Sequence, residues 1–369
     1  MTLIPVADPG AQNQLMSRSL QEVFAKVIAS GNYILGPELE ALEIEFARFI
    51  GTSFSVGVAS GTDAITLTLK GLGVGAGDEV ITASHTAVAT VAGIELAGAT
   101  PVLVDIDPRF YTITPLAIRK AITSRTAAVM PVHLYGQSAE MTEIVGLCEQ
   151  FNLKLVEDVS QAHGATWAGR RLGSIGSAGC FSCYPTKNFS AIGDAGLITT
   201  NNAELVKRIR AIRQYGWTER NYSEIPGMNS RLDEVQAAIL RVKLSYLDSL
   251  NERRQEIAKM YLNGILRTDI VLPEIRENGS HVYHLFVLNV NERDQFREKM
   301  LNFGVSTAVH YPRPVHQQPA YSGRLKLPVA GLPVTDELSN RIVSIPIFPE
   351  MSNDMVERVI DAVNSSIGV

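Results

Sequence analysis

The feature that most limits how this chain can fold is an alternation between residues 50 and 200. Short apolar runs (FSVGVA, DEVITAS, TPVLVD, AAVMPVHL, LKLVED, AGCFSCY and GLITT) take turns with amphipathic stretches such as DAITLTLKGLG and AEMTEIVGLCEQF. In the amphipathic stretches apolar residues recur at helical spacing, whereas the runs are short and rich in β-branched or small side chains. Strands apolar on both faces need cover on both faces, so the pattern predicts a mostly parallel sheet between layers of helices. Ligands of such sheets sit beyond the carboxyl ends of the strands, so the polar residues just after each run carry the functional information.

After residue 200 the texture changes. Ala203–Tyr215 and Arg231–Leu266 read as long helices, HVYHLFVLNV as a strand, RDQFREKMLNFG as a helix, RIVSIPIF as a strand and MVERVIDAVNSS as a terminal helix. A length of 369 residues is too great for one comfortable core. We expect an α/β large domain over 1–250 with a seven-stranded sheet, and a smaller C-terminal α+β domain over 251–369.

Composition narrows the class. With 46% hydrophobic and 19% charged residues the chain can bury a core. A net charge of -5 and the lack of a Lys/Arg-rich run give no footing for nucleic acid. The opening MTLIPVADPGAQNQ lacks the basic start and apolar centre of a secretion signal. The longest weakly polar stretch, Ala87–Val104, carries Glu95 and reads as a buried helix, a turn and a strand, not a membrane span. Three cysteines imply no disulfide framework, and the expectation is a cytoplasmic protein with no membrane or nucleic-acid partner.

Several segments could carry chemistry. SGTDA (Ser60–Ala64) follows a strand and opens a helix; taken alone it reads first as an ordinary capped turn, and it also suits an anion. VEDVSQAHG puts Asp158 at a strand end, where a carboxylate serves as a cap, a metal ligand or the partner of a protonated ring nitrogen; Gln161 and His163 follow. Companion ligands at a usable metal spacing are missing. In YPTKN, Lys187 lies in a loop directly after an apolar strand, where partial burial makes an amine nucleophilic toward aldehydes, and Ser182 on that strand can donate to a phosphate. Cys180 and Cys183 have redox-like spacing, but an apolar strand is where buried thiols act as small hydrophobes. His281 and His284 fall on opposite faces of the expected strand, which argues against a shared metal. His310 and His316 flank a Pro-rich loop suited to contacting a polar ligand or to lying in solvent. A helix start for phosphate, a carboxylate at a strand end and a lysine after a strand together form a set that pyridoxal phosphate would need.

Read in order, NYILGPELEALEIEFARFIG, SGTDAITLTLKGLGVGAGDEVI, GATPVLVDIDP, VHLYGQSAEM, EDVSQAHGATWAGRRLGSIG, YPTKN, GDAGLITT, NSRLDEVQAAI and VHYPRPVHQQPAY cover nearly the whole chain. Together they resemble the DegT/StrS-type sugar aminotransferases, a branch of the fold-type I pyridoxal-phosphate enzymes. The resemblance implies pyridoxal 5'-phosphate as cofactor, with Lys187 as the lysine that binds it covalently and moves the proton during transamination. It implies Asp158 at the pyridine nitrogen, Gln161 near the ring's phenolic oxygen, and Gly61, Thr62 and Ser182 at the phosphate. Asn229 would reach the phosphate in a neighbouring subunit, which implies a homodimer with shared active sites.

Relatives often carry an aromatic residue where this chain has Ala87 in ASHTAVAT, and His85 is the expected substitute for stacking on the cofactor ring. Tyr184, His310 and Tyr311 match positions near the sugar in the subgroup acting on dTDP-linked 3-keto-6-deoxyhexoses. The expected activity is therefore transfer of an amino group from glutamate, released as 2-oxoglutarate, to C-3 of a nucleotide-linked keto sugar. The alternatives are 4-keto substrates on dTDP, UDP or GDP, and a non-catalytic cofactor-binding regulator. Relatives that dehydrate sugars replace the lysine with histidine, and Lys187 argues against that chemistry.

Overall fold

In the computed structural model, which describes residues 3–366, the seven apolar runs form one sheet. The strands are β1 (Phe54–Val58), β2 (Glu79–Ala83), β3 (Thr100–Val104), β4 (Thr126–Val129), β5 (Lys154–Asp158), β6 (Ala178–Ser182) and β7 (Gly196–Thr200). Their spatial order is β1-β7-β6-β5-β4-β2-β3. All neighbours from β6 to β3 are parallel, and β7 runs antiparallel to both β6 and β1. The expected mostly parallel α/β sheet is thus present, and its strand order reverses between β2 and β4, where a crevice opens at the carboxyl ends.

Helices cover both faces because adjacent residues on a strand point to opposite sides. On β2, Val80 joins one core and Ile81 the other. Helices α1 (Pro37–Ile50), α4 (Met141–Phe151) and α6 (Glu234–Leu244) supply Leu42, Phe46, Ile144 and Leu240 to the Ile81 side. Helices α2 (Gly61–Gly71), α3 (Val88–Leu96) and α5 (Ala203–Ile212) supply Ile65, Leu69, Ile94 and Ile209 to the Val80 side.

A second core lies beyond. It joins Ile257 and Tyr261 of α7 (Leu247–Gly264), Phe286 and Leu288 of β8 (Phe286–Asn289), Phe296 of α8 (Arg293–Asn302), Val343 of β9 (Ile342–Ile345) and Val359 of α9 (Asn353–Ser365). Strands β8 and β9 pair antiparallel. The start of the chain joins this core as well, since Ile4 is buried in it and pairs with Val305. Helix α7 links the two cores, with Leu247 in the first and Ile257 in the second.

Two expected elements are shorter than their patterns. The stretch read as one helix over Arg231–Leu266 is α6 and α7, with a break at Ser245 and Tyr246. There the Ser245 hydroxyl donates to the Val242 carbonyl at 2.7 Å, a local bond that competes with the helical ladder. The strand read in HVYHLFVLNV is confined to β8, because Tyr283 has φ 43 and turns the chain out of extended geometry. Among the described residues, no helix is long and apolar enough to cross a membrane.

Candidate active site

At the carboxyl ends of the strands lies a cavity of about 280 Å³, and each of its walls follows from a strand ending. One wall is the start of α2, just after β1. Ser60 caps the helix, its hydroxyl accepting from the Asp63 amide at 3.1 Å, and the Ala64 amide bonds the Ser60 carbonyl. The first amides of the helix, at Gly61 and Thr62, have no partner within it and favour an anion. A Cβ on Gly61 would come within 2.5 Å of the Ser182 Cβ, so only glycine lets this helix start against the end of β6.

Asp158, the last residue of β5, forms the opposite wall and is buried. Its Oδ2 accepts from the Thr90 hydroxyl at 2.8 Å and its Oδ1 from the Ser160 amide at 3.1 Å. Thr90 is itself bonded at 2.9 Å to Thr86, which lies just before α3. Gln161 spans two neighbours. Its Oε1 accepts from the Tyr135 amide at 2.8 Å and its Nε2 donates to the Tyr311 hydroxyl at 3.0 Å.

Lys187 stands between these walls, in the loop after β6. Burial pulls its amine down to about 8, against the opposing attraction of Asp158. The loop is held from below. Asn188 donates to the Asn251 side chain and to the Val282 carbonyl, both at 2.9 Å, and Phe189 stacks on Phe46 with centroids 5.4 Å apart. The buried ring of His163 packs against Phe181 and Phe189, and burial holds it at about 3, hence neutral.

Of the residues singled out from sequence, Gly61, Thr62, Asp158, Gln161, Ser182, Tyr184 and Lys187 line this one cavity. Tyr311 is joined to it through Gln161. His310 is anchored beside it, Nδ1 to the Ser344 hydroxyl at 2.9 Å, with burial and then the Lys187 charge pushing it down to about 4. His85 lies outside the lining. It is buried edge-on against Tyr135, with Nε2 2.8 Å from the Tyr135 hydroxyl, and Thr86 and Ala87 face the cavity in its stead. Asn229 is exposed and away from this cavity, while its neighbour Ser230 is buried and donates to Asp63 at 2.7 Å.

Other expected contacts resolve differently. His316 bonds Ser84 at 2.7 Å and Asp336 at 3.1 Å. Cys180 and Cys183 are buried thiols whose ionisation burial pushes far up, and no group of metal-binding side chains exists among the described residues. Sequence reasoning passed over Thr86, Thr90, Ser160 and Tyr135. The four-residue spacing of Thr86 and Thr90 was the one available signal for the support of Asp158.

The chain is also similar to known proteins over nearly its whole length. The profile of the DegT/DnrJ/EryC1/StrS aminotransferase family matches residues 14–364. The dTDP-3-amino-3,6-dideoxy-alpha-D-galactopyranose transaminase of Aneurinibacillus thermoaerophilus is 46% identical, over 98% of this chain and 99% of that protein. The crystal structure of S. venezuelae DesV in complex with a ketimine intermediate superposes with a TM-score of 0.97 at 42% identity, covering 100% of both chains. That of NtdA from Bacillus subtilis with bound cofactor PMP gives 0.92 at 30% identity, over 99% of this chain and 85% of that one.

Proposed function

Since this chain belongs to the DegT/DnrJ/EryC1/StrS aminotransferase family, we propose that it transfers the amino group of glutamate to C-3 of a dTDP-linked 3-keto-6-deoxyhexose, with pyridoxal 5'-phosphate as cofactor. The observation that carries this reading is Lys187, its proton affinity lowered by burial, between a glycine-started helix and a fixed carboxylate. The C-3 preference rests on the likeness to a transaminase named for a 3-amino sugar.

The donor set fits the cofactor. The helix start at Gly61, packed close against Ser182, together with the Thr62 and Ser182 side chains, suits its phosphate. Asp158, held by Thr90 and Ser160, suits its ring N–H. Gln161 suits the ring's oxygen substituent. When bound, pyridoxal phosphate supplies an electron sink for the bonds made and broken at the amine-bearing carbon. The residues do the rest. The Asp158 carboxylate, fixed by Thr90 and Ser160, would accept from the ring N–H and so help maintain that sink.

Lys187 Nζ is the proton carrier. At about 8 its amine has a usable neutral fraction near neutral pH, so it can take the proton from Cα of glutamate and return one nearby. In the second half it delivers a proton to C-3 of the sugar. The balance is glutamate plus keto sugar giving 2-oxoglutarate plus amino sugar, with no outside oxidant. Tyr184, half-exposed at the mouth, and Tyr311, behind Gln161, are the side chains we assign to the sugar, together with His310.

We also read the protein as a homodimer in which Asn229 serves the partner's phosphate site. In support, Asn229 is exposed, and Phe24, Ile28, Tyr33 and Ile34 leave apolar surface uncovered along and just after the helix Ser17–Ser30.

One experiment tests the core of this. The purified protein should be yellow, and borohydride should fix the cofactor to Lys187 in the peptide map. Incubated with glutamate and either 3-keto or 4-keto dTDP-sugar, it should aminate the 3-keto compound, as read by mass and NMR. A colourless protein without the adduct overturns the cofactor assignment, and amination of the 4-keto sugar alone overturns the regiochemistry.

A further inference from the structure

His85 and Tyr135 are not among the residues lining the cavity, yet they are bonded to each other, and Tyr135 is bonded to the segment that carries His310 and Tyr311. The Tyr135 hydroxyl donates to the His310 carbonyl, and His85 Nε2 lies 2.8 Å from the same hydroxyl. Burial pushes Tyr135 well up and His85 down to about 4, so the tyrosine keeps its proton and the histidine is neutral. With the tyrosine proton committed to the carbonyl, the bond from His85 must be an Nε2–H donation to the tyrosine oxygen. The chain of donors therefore runs from His85 through Tyr135 to the His310 carbonyl.

A second strut runs in parallel. The Tyr135 amide donates to Gln161 Oε1, and Gln161 Nε2 donates to the Tyr311 hydroxyl. One residue thus holds the His310–Tyr311 segment from its side chain directly and from its backbone through Gln161. Its own conformation is unusual, since Tyr135 has φ 61, a left-handed backbone that a bulky side chain rarely adopts. The next residue fixes that turn, for Gly136 has φ 113 and a Cβ there would come within 2.8 Å of the His284 amide nitrogen. The Tyr135 carbonyl also accepts from the Leu285 amide at 3.2 Å. The strained turn is thus pinned between the sheet and residues 282–285, and it aims the hydroxyl at His310.

We propose that Tyr135 is a positioning residue for the keto-sugar half of the reaction, and that His85 acts through it by orienting its hydroxyl. This rests on the reading that His310 and Tyr311 meet the sugar. The Lys187, Asp158 and Gly61 groups are bonded to neither residue, so the glutamate half should not depend on the clamp.

The test uses the full-length holoenzyme and Tyr135→Phe, which keeps the ring and the amide and removes only the hydroxyl. Hydrogen exchange by mass spectrometry should show faster exchange in the peptide spanning 306–312 and unchanged exchange at 58–66. Single-turnover absorbance should show the glutamate half-reaction within twofold of wild type. The apparent affinity for the keto sugar that wild type accepts should fall roughly fivefold to tenfold, the loss of one or two buried hydrogen bonds. His85→Phe should give the same pattern, and Tyr135→Phe/His85→Phe should cost no more than either alone. Unchanged exchange at 306–312, or equal slowing of both half-reactions, overturns the proposal. If wild type aminates no nucleotide sugar, the functional reading above fails, while the exchange arm still decides whether the clamp exists.

Discussion

At the scale of single residues, the chemistry depends on how little a buried site allows a lysine to hold its proton. Desolvation disfavours the charged amine, and it outweighs the attraction of Asp158, so Lys187 loses its proton at about 8 and not near the 10.5 of a free lysine. The sign fixes a measurable dependence. The amine attacks the cofactor's aldehyde only when neutral, so the rate of reconstituting apo-protein with pyridoxal phosphate should rise between pH 6.5 and 8 and flatten by about pH 9. A rate still climbing beyond pH 9.5 would mean an ordinary, solvated lysine. Lys187→Arg, with a permanent charge, should show no borohydride adduct at any pH. Its place in this cavity was legible in the sequence because Lys187 directly follows an apolar strand and Asp158 and the Thr62 helix start lie at other strand ends. Thr90 was not, because its partner Asp158 is 68 residues away and only the folded sheet brings the two to 2.8 Å. His85 shows the same limit. Its place after β2 was right for a ligand-facing side chain, but Tyr135 offers its ring a buried hydrogen-bond partner that sequence spacing does not reveal.

At the scale of elements, the site is a property of where strands stop. Helix α2 can begin within reach of the end of β6 only because Gly61 has no side chain. We expect Gly61→Ala to push the helix start away from Ser182 and to cost on the order of 1–3 kcal/mol of stability through overpacking. Cofactor affinity should fall more than tenfold, a larger loss than that of Ser182→Ala, as measured by titrating apo-protein with pyridoxal phosphate. Equal affinity in Gly61→Ala and wild type would mean that the helix amides do not hold the phosphate. The strand–helix alternation made this sheet readable in advance, since every β run and its covering helices obey local periodicity. The C-terminal elements were less readable for a physical reason. The Ser245 back-bond that ends α6 and the left-handed Tyr283 that delays β8 are local departures inside otherwise regular patterns. Neither changes the hydrophobic period, so neither leaves a trace in it.

At the scale of the whole molecule, the proposed dimer predicts which chain completes each site. Within one chain the cavity gathers Lys187, Asp158 and the start of α2, whereas Asn229 lies exposed outside its lining, bridged to Gln214 and next to Ser230, which is anchored to Asp63. If Asn229 acts on the partner's phosphate, two defective chains should repair each other. A dimer of one Lys187→Ala chain and one Asn229→Ala chain has one site with its own Lys187 and an intact Asn229 from the partner, and one site with neither. When the two variants are unfolded together, mixed in equal amounts and refolded, half of the dimers are mixed and each carries one complete site. Activity should then approach about a quarter of that of wild type refolded alone, well above the mean of the two parents. If Asn229 served its own subunit, every site in the mixed dimer would lack one group or the other, and mixing would restore nothing. Sedimentation of the same sample distinguishes that outcome from failure to pair, because a dimer of 40.1 kDa chains must be present for the comparison to count. Recovery on mixing would tie the exposed position of Asn229 to function, since only a partner chain's Asn229 could then complete the site that holds Lys187.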